Sequence, residues 1–426
     1  MFNKLAIFGG SKVIKEVFKP YNSIGEEEIN AATEVVKSGV LSRFVGGWGE
    51  DFYGGQKVRE FEIACEDYFN VKHAITVNSW TSGLVAAIGS LNIEPGDEII
   101  VTTWTMCATA TSILHWNAIP VFADIDKKTF NIDPESIKRN ITKNTKAIVI
   151  ADIFGQSCDL DLIMEIAKNN NLQVVTDCAQ APGALYKAKF AGTLSHVGGF
   201  SLNYHKHIHT GEGGILVTND DELAERLCLI RNHGEVVVSK KNIKNISNIV
   251  GHNFRLGEIE SAIGIEQLKK LDFFVKSRQA AAERLTLGLK DLNGLSTPFV
   301  SEHNTHVYYV YPIVLDIEEL NLDRHKIVKA LIAEGLDCIA EGYQNIHLLP
   351  MYQKKIAYGS RGFPWTSDIC KRDVNYSKGI CPNAEELNDK TFLMIEMCRY
   401  QLDDNEVDLI IEAFHKVWKH IDSLRG

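Results

Sequence analysis

The sequence predicts an α/β fold: a mostly parallel central sheet with helices on both faces, followed by a smaller α+β unit at the carboxyl end. Two observations carry this. From about residue 74 to 220, short β-branched runs alternate with segments whose apolar residues recur near helical spacing, the pattern of strands joined by crossover helices. Beyond a long amphipathic segment at 256–289, strands and helices continue without that regular alternation. The expected division is 22–275 for the larger unit and 276–426 for the smaller.

The strand candidates of the first unit are "AITV" (74–77), "EIIVTT" (98–103), "PVFADI" (120–125), "KAIVIADIF" (146–154), "QVVTDCA" (173–179), "GGFSLNY" (198–204) and "GILVTN" (214–219). Helical patterns fill the intervals at 82–92, 107–118 and 161–171. In the second unit, "HVYYVYPIVL" (306–315) reads as a strand, and 323–335 and 407–421 read as helices. The stretch 340–380, with its Gly, Pro, Tyr and Trp residues, is expected as an irregular loop able to frame a site. Ligands of parallel sheets of this kind sit at the carboxyl ends of the strands.

Composition narrows the function classes. The 426 residues are 45% apolar and carry a net charge of −10, which argues against a polyanionic partner such as nucleic acid. No window approaches the roughly 18 apolar residues of a membrane span, and the amino terminus has too short an apolar run for a signal peptide. A cytoplasmic protein is expected. The nine cysteines are odd in number with no C-x-x-C pair, which reads as reduced, mostly buried thiols.

The most conspicuous stretch is "YHKHIHTGEGG" (204–214). If it is extended, His205, His207 and His209 share one face and Lys206 points the other way. Alternate side chains on a strand stand about 7 Å apart, wide for one metal ion, and no carboxylate or thiolate accompanies them at ligand spacing, so no metal site is expected. The glycines precede a strand where a dinucleotide-binding loop would precede a helix. More specific is a combination. Asp177 and Lys206 close two strand candidates and are expected on one rim of the sheet, near a helix start at "NSWTS" (78–82). An amine for an aldehyde, an anion for a ring nitrogen and helix-start N–H groups for a phosphate together suit pyridoxal phosphate. Taken singly, a strand-end Asp also caps turns and a lone Lys is ordinarily solvated.

Four blocks extend this: "VNSWTSGL" (77–84), "DCAQAPGA" (177–184), "FSLNYHKHIHTGEGG" (200–214) and "GHNFRLGEIESAIGIEQLKKL" (251–271). In order and separation they resemble the DegT-type (DegT/DnrJ/EryC/StrS) sugar aminotransferases, over about 22–420. The resemblance implies the aspartate-aminotransferase fold (fold type I) and pyridoxal 5′-phosphate as cofactor. It implies transfer of an amino group from glutamate to a keto group of a nucleotide-linked sugar, and a homodimer with shared active sites. By the same resemblance, Lys206 is the Schiff-base lysine, Asp177 pairs with the pyridinium nitrogen and Gln180 lies near the ring oxygen. Thr81 and Ser82 match the phosphate-binding turn, with Trp80 beside them among the cofactor contacts. Ser201 supplies a further phosphate hydroxyl, and Asn253 reaches the phosphate of the neighbouring subunit.

Two departures stand out. Met106 occupies the place where the family carries an aromatic stacked on the cofactor ring; its thioether can pack a ring, and Trp104 stands two residues away. The run "GGWGEDFYGG" (46–55) is longer than the usual link, and Trp48, Asp51, Phe52 and Tyr53 there could meet a sugar or base, or pack at a dimer interface. Relatives that are sugar dehydratases carry histidine at the lysine position, so a one-residue slip in "HKH" defines the alternative reaction. A non-catalytic regulatory protein using the same pocket is the alternative of a different class.

Overall fold

The computed structural model describes residues 4–425. Helices α1 (Glu26–Ser38) and α2 (Gln56–Phe69) lead into strand β1 (His73–Val77) and helix α3 (Trp80–Ser90). The alternation follows through β2 (Glu98–Thr102), α4 (Cys107–His115), β3 (Ile119–Ala123), α5 (Pro134–Asn140), β4 (Thr145–Ala151), α6 (Leu160–Asn169) and β5 (Gln173–Asp177). A small hairpin, β6 (Leu185–Tyr186) and β7 (Lys189–Phe190), precedes β8 (Val197–Ser201), β9 (Gly214–Thr218) and α7 (Asp221–Arg231).

Seven strands form one sheet in the order β1-β9-β8-β5-β4-β2-β3. The pairs β8/β5, β5/β4, β4/β2 and β2/β3 are parallel, while β9 runs antiparallel to both β1 and β8. All five residues of β2, β3, β8 and β9 are buried, because helices cover both faces; this is why those strands read as continuous apolar runs. The predicted strands are present, but 146–154 ends at Ala151 and 198–204 ends at Ser201. After Ser201 the chain turns, so the histidine tract is not extended and its three imidazoles do not share a face.

The long helix α8 (Glu258–Leu289) leads to a second, fully antiparallel sheet of β10 (Leu295–Ser296), β11 (Tyr311–Leu315), β12 (Ile339–Glu341) and β13 (Phe392–Ile395), in the order β10-β11-β13-β12. Helices Arg324–Ala333 and Asp404–Lys419 pack on it, together with Leu5, Ile14 and Phe18 from the start of the described chain. The excursion between β12 and β13 is irregular, as expected, yet much of it is anchored in the core of the large sheet. Tyr352, Trp365 and Tyr376 are buried there, and the Tyr376 hydroxyl donates to the Pro120 carbonyl at 2.6 Å. His347 is fully buried between Thr103 Oγ1 at 2.5 Å and Glu385 Oε1 at 3.0 Å. These contacts carry Tyr343 over the carboxyl ends of the large sheet's strands.

Candidate active site

Asp177 is the last residue of β5, and β8, its parallel neighbour, ends at Ser201. Parallel strands end on the same rim, so the carboxylate and the segment carrying Lys206 emerge together. Lys206 itself lies in the turn after β8, where its N–H donates to the Asn203 carbonyl at 3.0 Å. Its side chain is only 7% exposed, and Nζ stands 4.3 Å from the centre of the Tyr309 ring. Burial brings its ammonium down from the ordinary 10.5 to about 8, with Asp177 and Cys398 partly opposing the drop. About a tenth of this lysine would therefore be a neutral nucleophile at pH 7, far more than of a solvated lysine.

Asp177 is buried as well, and its carboxyl is raised by that burial; hydrogen bonds from Thr109, Ala179 and Trp80 act against the rise. Thr109 Oγ1 donates to Oδ2 at 2.6 Å, while Trp80 Nε1 at 2.7 Å and the Ala179 N–H at 3.1 Å donate to Oδ1. Next to it, Gln180 accepts from the Phe154 N–H at 2.8 Å through Oε1 and donates to the Tyr343 hydroxyl at 3.3 Å.

Helix α3 starts on the same rim. Ser79 caps it, accepting from the Ser82 N–H at 3.1 Å, and the Ser79 and Ser82 hydroxyls are 3.0 Å apart. Thr81 is exposed, and Ser201 accepts from the Asn203 N–H at 3.3 Å. The first-turn N–H groups of a helix have no partner within the helix, so the start of α3 offers N–H groups and hydroxyls of the kind a phosphate takes. Asn253 is exposed on the segment that bridges Asn232, and its carbonyl accepts from Asn78 Nδ2 at 3.4 Å.

The two candidates for the ring face differ sharply. Trp104 is 0% exposed, its indole donating to Asn345 Oδ1 at 2.8 Å within a cluster of Phe130, Phe154, Tyr343 and Phe392. A side chain with no free face cannot stack on a ligand. Met106 is 58% exposed at the start of α4.

A cavity of about 750 Å³ opens nearby, walled by Tyr204, His205, Tyr309, Tyr343, Glu396 and Arg399. His205 is exposed on that wall, whereas His207 is fully buried with Nε2 2.7 Å from the Val307 carbonyl. His209 is half-buried, its N–H donating to Gln267 Oε1 at 3.2 Å. Among the described residues no three His, Cys, Asp or Glu side chains cluster as a metal site requires. The 46–55 run is mostly a packing device: Phe52 is 0% exposed, the Tyr53 hydroxyl donates to Glu225 at 3.1 Å and Asp51 pairs with Arg43 at 3.1 Å. Trp48 is 45% exposed and lies under the Lys241 ammonium at 4.5 Å. Thr109, Tyr309, Tyr343 and Cys398 were not singled out from the sequence. The sequence signal for Thr109 is a hydroxyl within the apolar helical pattern 107–118.

A buried, partly neutral lysine beside a buried carboxylate, at the carboxyl ends of a seven-stranded sheet, suits a pyridoxal-phosphate enzyme of fold type I. The chain belongs to the DegT/DnrJ/EryC1/StrS aminotransferase family, whose model matches residues 22–389. It is 33% identical over 416 residues to the spore coat polysaccharide biosynthesis protein SpsC of Bacillus subtilis, covering 95% of this chain and 98% of that protein. It is 38% identical over 299 residues to a GDP-perosamine synthase of Caulobacter vibrioides, covering 70% and 79%. Among solved structures, an aminotransferase from Psychrobacter cryohalolentis superimposes with a TM-score of 0.80 at 28% identity, covering 95% of this chain and 100% of that one. The protein is a pyridoxal-phosphate-dependent aminotransferase.

Proposed function

We propose that this aminotransferase moves an amino group from glutamate to a keto group of a nucleotide-linked sugar. The observation that carries the proposal is the buried Lys206, near Asp177 and held over Tyr309, whose ring helps wall a cavity within the roughly 300–1,000 Å³ range of small-molecule sites. Similarity to the GDP-perosamine synthase supports a nucleotide-linked sugar as acceptor.

When bound, the cofactor supplies an electron sink for the carbon that gains or loses the amino group. The chain's own residues do the rest. Lys206 would supply the amine that holds the cofactor and the base that moves the proton during transfer. Asp177 would keep the ring nitrogen protonated. Thr81, Ser82 and Ser201 would hold the phosphate at the start of α3, with Trp80 beside them. Gln180 would contact the ring near its oxygen, and Met106 would be the side chain to pack on the ring. Lys206, and not His205, is taken as the reacting residue, because the lysine is buried beside Asp177 while the histidine is exposed on the cavity wall. That supports transamination over dehydration.

The working unit in this reading is a cytoplasmic homodimer, Asn253 contributing to the phosphate site of the neighbouring subunit. Exposed apolar side chains on α1 and the segment after it, Ile29, Val36, Val40, Leu41 and Val45, support such an interface. Among the described residues no helix is long and apolar enough to cross a membrane. The proposed domain division stays at 22–275 and 276–426, supported by the two separate sheets. The test is spectroscopic. Glutamate should bleach the visible band of the purified protein, and one member of a panel of nucleotide-linked keto sugars should restore it; a band indifferent to glutamate refutes the donor, and no restoration by any member refutes the acceptor class.

A further inference from the structure

We propose that Trp80 and Thr109 are positioning residues that fix the Asp177 carboxylate and leave it one open acceptor site, aimed at the cofactor's ring nitrogen. The inference rests on the role given to Asp177 above and goes beyond it. A carboxylate has about four lone-pair sites. In this protein Oδ1 is filled by Trp80 Nε1 at 2.7 Å and the Ala179 N–H at 3.1 Å, and Oδ2 takes the Thr109 hydroxyl at 2.6 Å. Three of about four are used, and the remaining one is on Oδ2. Thr109 is itself oriented: Thr105 Oγ1 lies 2.7 Å away, and because Thr109 gives its proton to Asp177, Thr105 donates to Thr109.

The surroundings are shaped for the indole. Trp80 is 5% exposed, and a Cβ on Gly199 of β8 would stand 2.2 Å from its Cζ3, while one on Gly83 would stand 2.7 Å from Cε3. Any side chain at either position would displace the ring, so both glycines serve to seat it. A buried indole N–H needs an acceptor, and here that acceptor is the residue on which the chemistry depends. Unlike a hydroxyl, the N–H cannot rotate away, so the ring's fit against Gly199 of β8 and Gly83 of α3 sets the carboxylate plane.

The test compares Trp80→Phe, which keeps a ring and removes the N–H, with Thr109→Val and Thr109→Ser, using Asp177→Asn as reference. Three readouts are taken on each holoenzyme and reconstituted apoprotein: cofactor affinity, pH titration of the visible band, and steady-state kinetics. Losing a hydrogen bond to a charged group should lower kcat roughly 10- to 100-fold in Trp80→Phe and Thr109→Val, with KM for the keto acceptor changed less than about threefold. The band's titration midpoint should move in both, and Thr109→Ser should restore it. Wild-type titration and kcat in Trp80→Phe would show that the indole only packs, and would overturn the proposal. If Trp80→Phe does not fold, an unchanged Thr109→Val overturns it instead. Asp177→Asn separates the levels: if that variant keeps full turnover, the role of Asp177 fails, whereas its collapse beside an unaffected Trp80→Phe defeats this inference alone.

Discussion

Replacing Lys206 by Met should stabilise the cofactor-free protein, by an amount that depends on pH. The buried ammonium titrates at about 8 in place of 10.5. At about 1.4 kcal/mol per pH unit, holding that charge in the folded state costs about 3 kcal/mol at pH 7. Methionine matches the stem in length and carries no charge, so the variant avoids that cost. The sign follows from proton counting. Between pH 8 and 10.5 the unfolded chain keeps the lysine proton and the folded chain releases it, so wild-type stability rises with pH across that window and the penalty is gone above it. Urea unfolding of both apoproteins at pH 7, 8, 9 and 10 measures the gap. The variant should be more stable by up to about 3 kcal/mol at pH 7, with the gap closing by pH 10. A gap that is zero at pH 7, or that does not change with pH, refutes the claim that Lys206 is held as a depressed, partly neutral amine.

Three other outcomes follow. Lys206→Ala should cost turnover roughly 10²- to 10⁴-fold or more, while His205→Ala stays within about tenfold of wild type; the reverse order in a steady-state assay would favour the dehydratase chemistry. Met106→Ala should weaken cofactor binding to the apoprotein by roughly 2- to 12-fold, the range of a sulfur–ring contact, while Trp104→Phe, whose wild-type ring has no exposed face, should change that affinity less. The homodimer should appear as a single species of twice the chain mass in light scattering, and Asn253→Ala should lower cofactor affinity in that dimer.

How far the sequence discloses this molecule depends on how local the determining physics is. Strands β2 to β5 were readable because burial on both faces forces continuous apolar runs, and the rim shared by Asp177 and the Lys206 segment follows from parallel pairing. The histidine tract misled for a local reason. Alternation of His205, His207 and His209 mimics a strand, but pairing with β9 stops at Ser201, where the strand yields to the turn that carries Lys206. The excursion between β12 and β13 could be read as irregular, yet not as the support that carries Tyr343 to Gln180, since its anchors are contacts such as Tyr376 to Pro120, 256 residues apart. Trp80 is the clearest case. The resemblance places it among the cofactor contacts beside Thr81 and Ser82, and the fold turns its N–H inward to Asp177.

The central claim is that Lys206 is the amine that takes the cofactor. Borohydride reduction of the holoenzyme followed by peptide mass spectrometry tests it directly. One pyridoxyl-modified lysine, Lys206, and loss of the visible band on reduction are expected. Modification at another lysine, or no covalent adduct in a protein that still turns over, would contradict it.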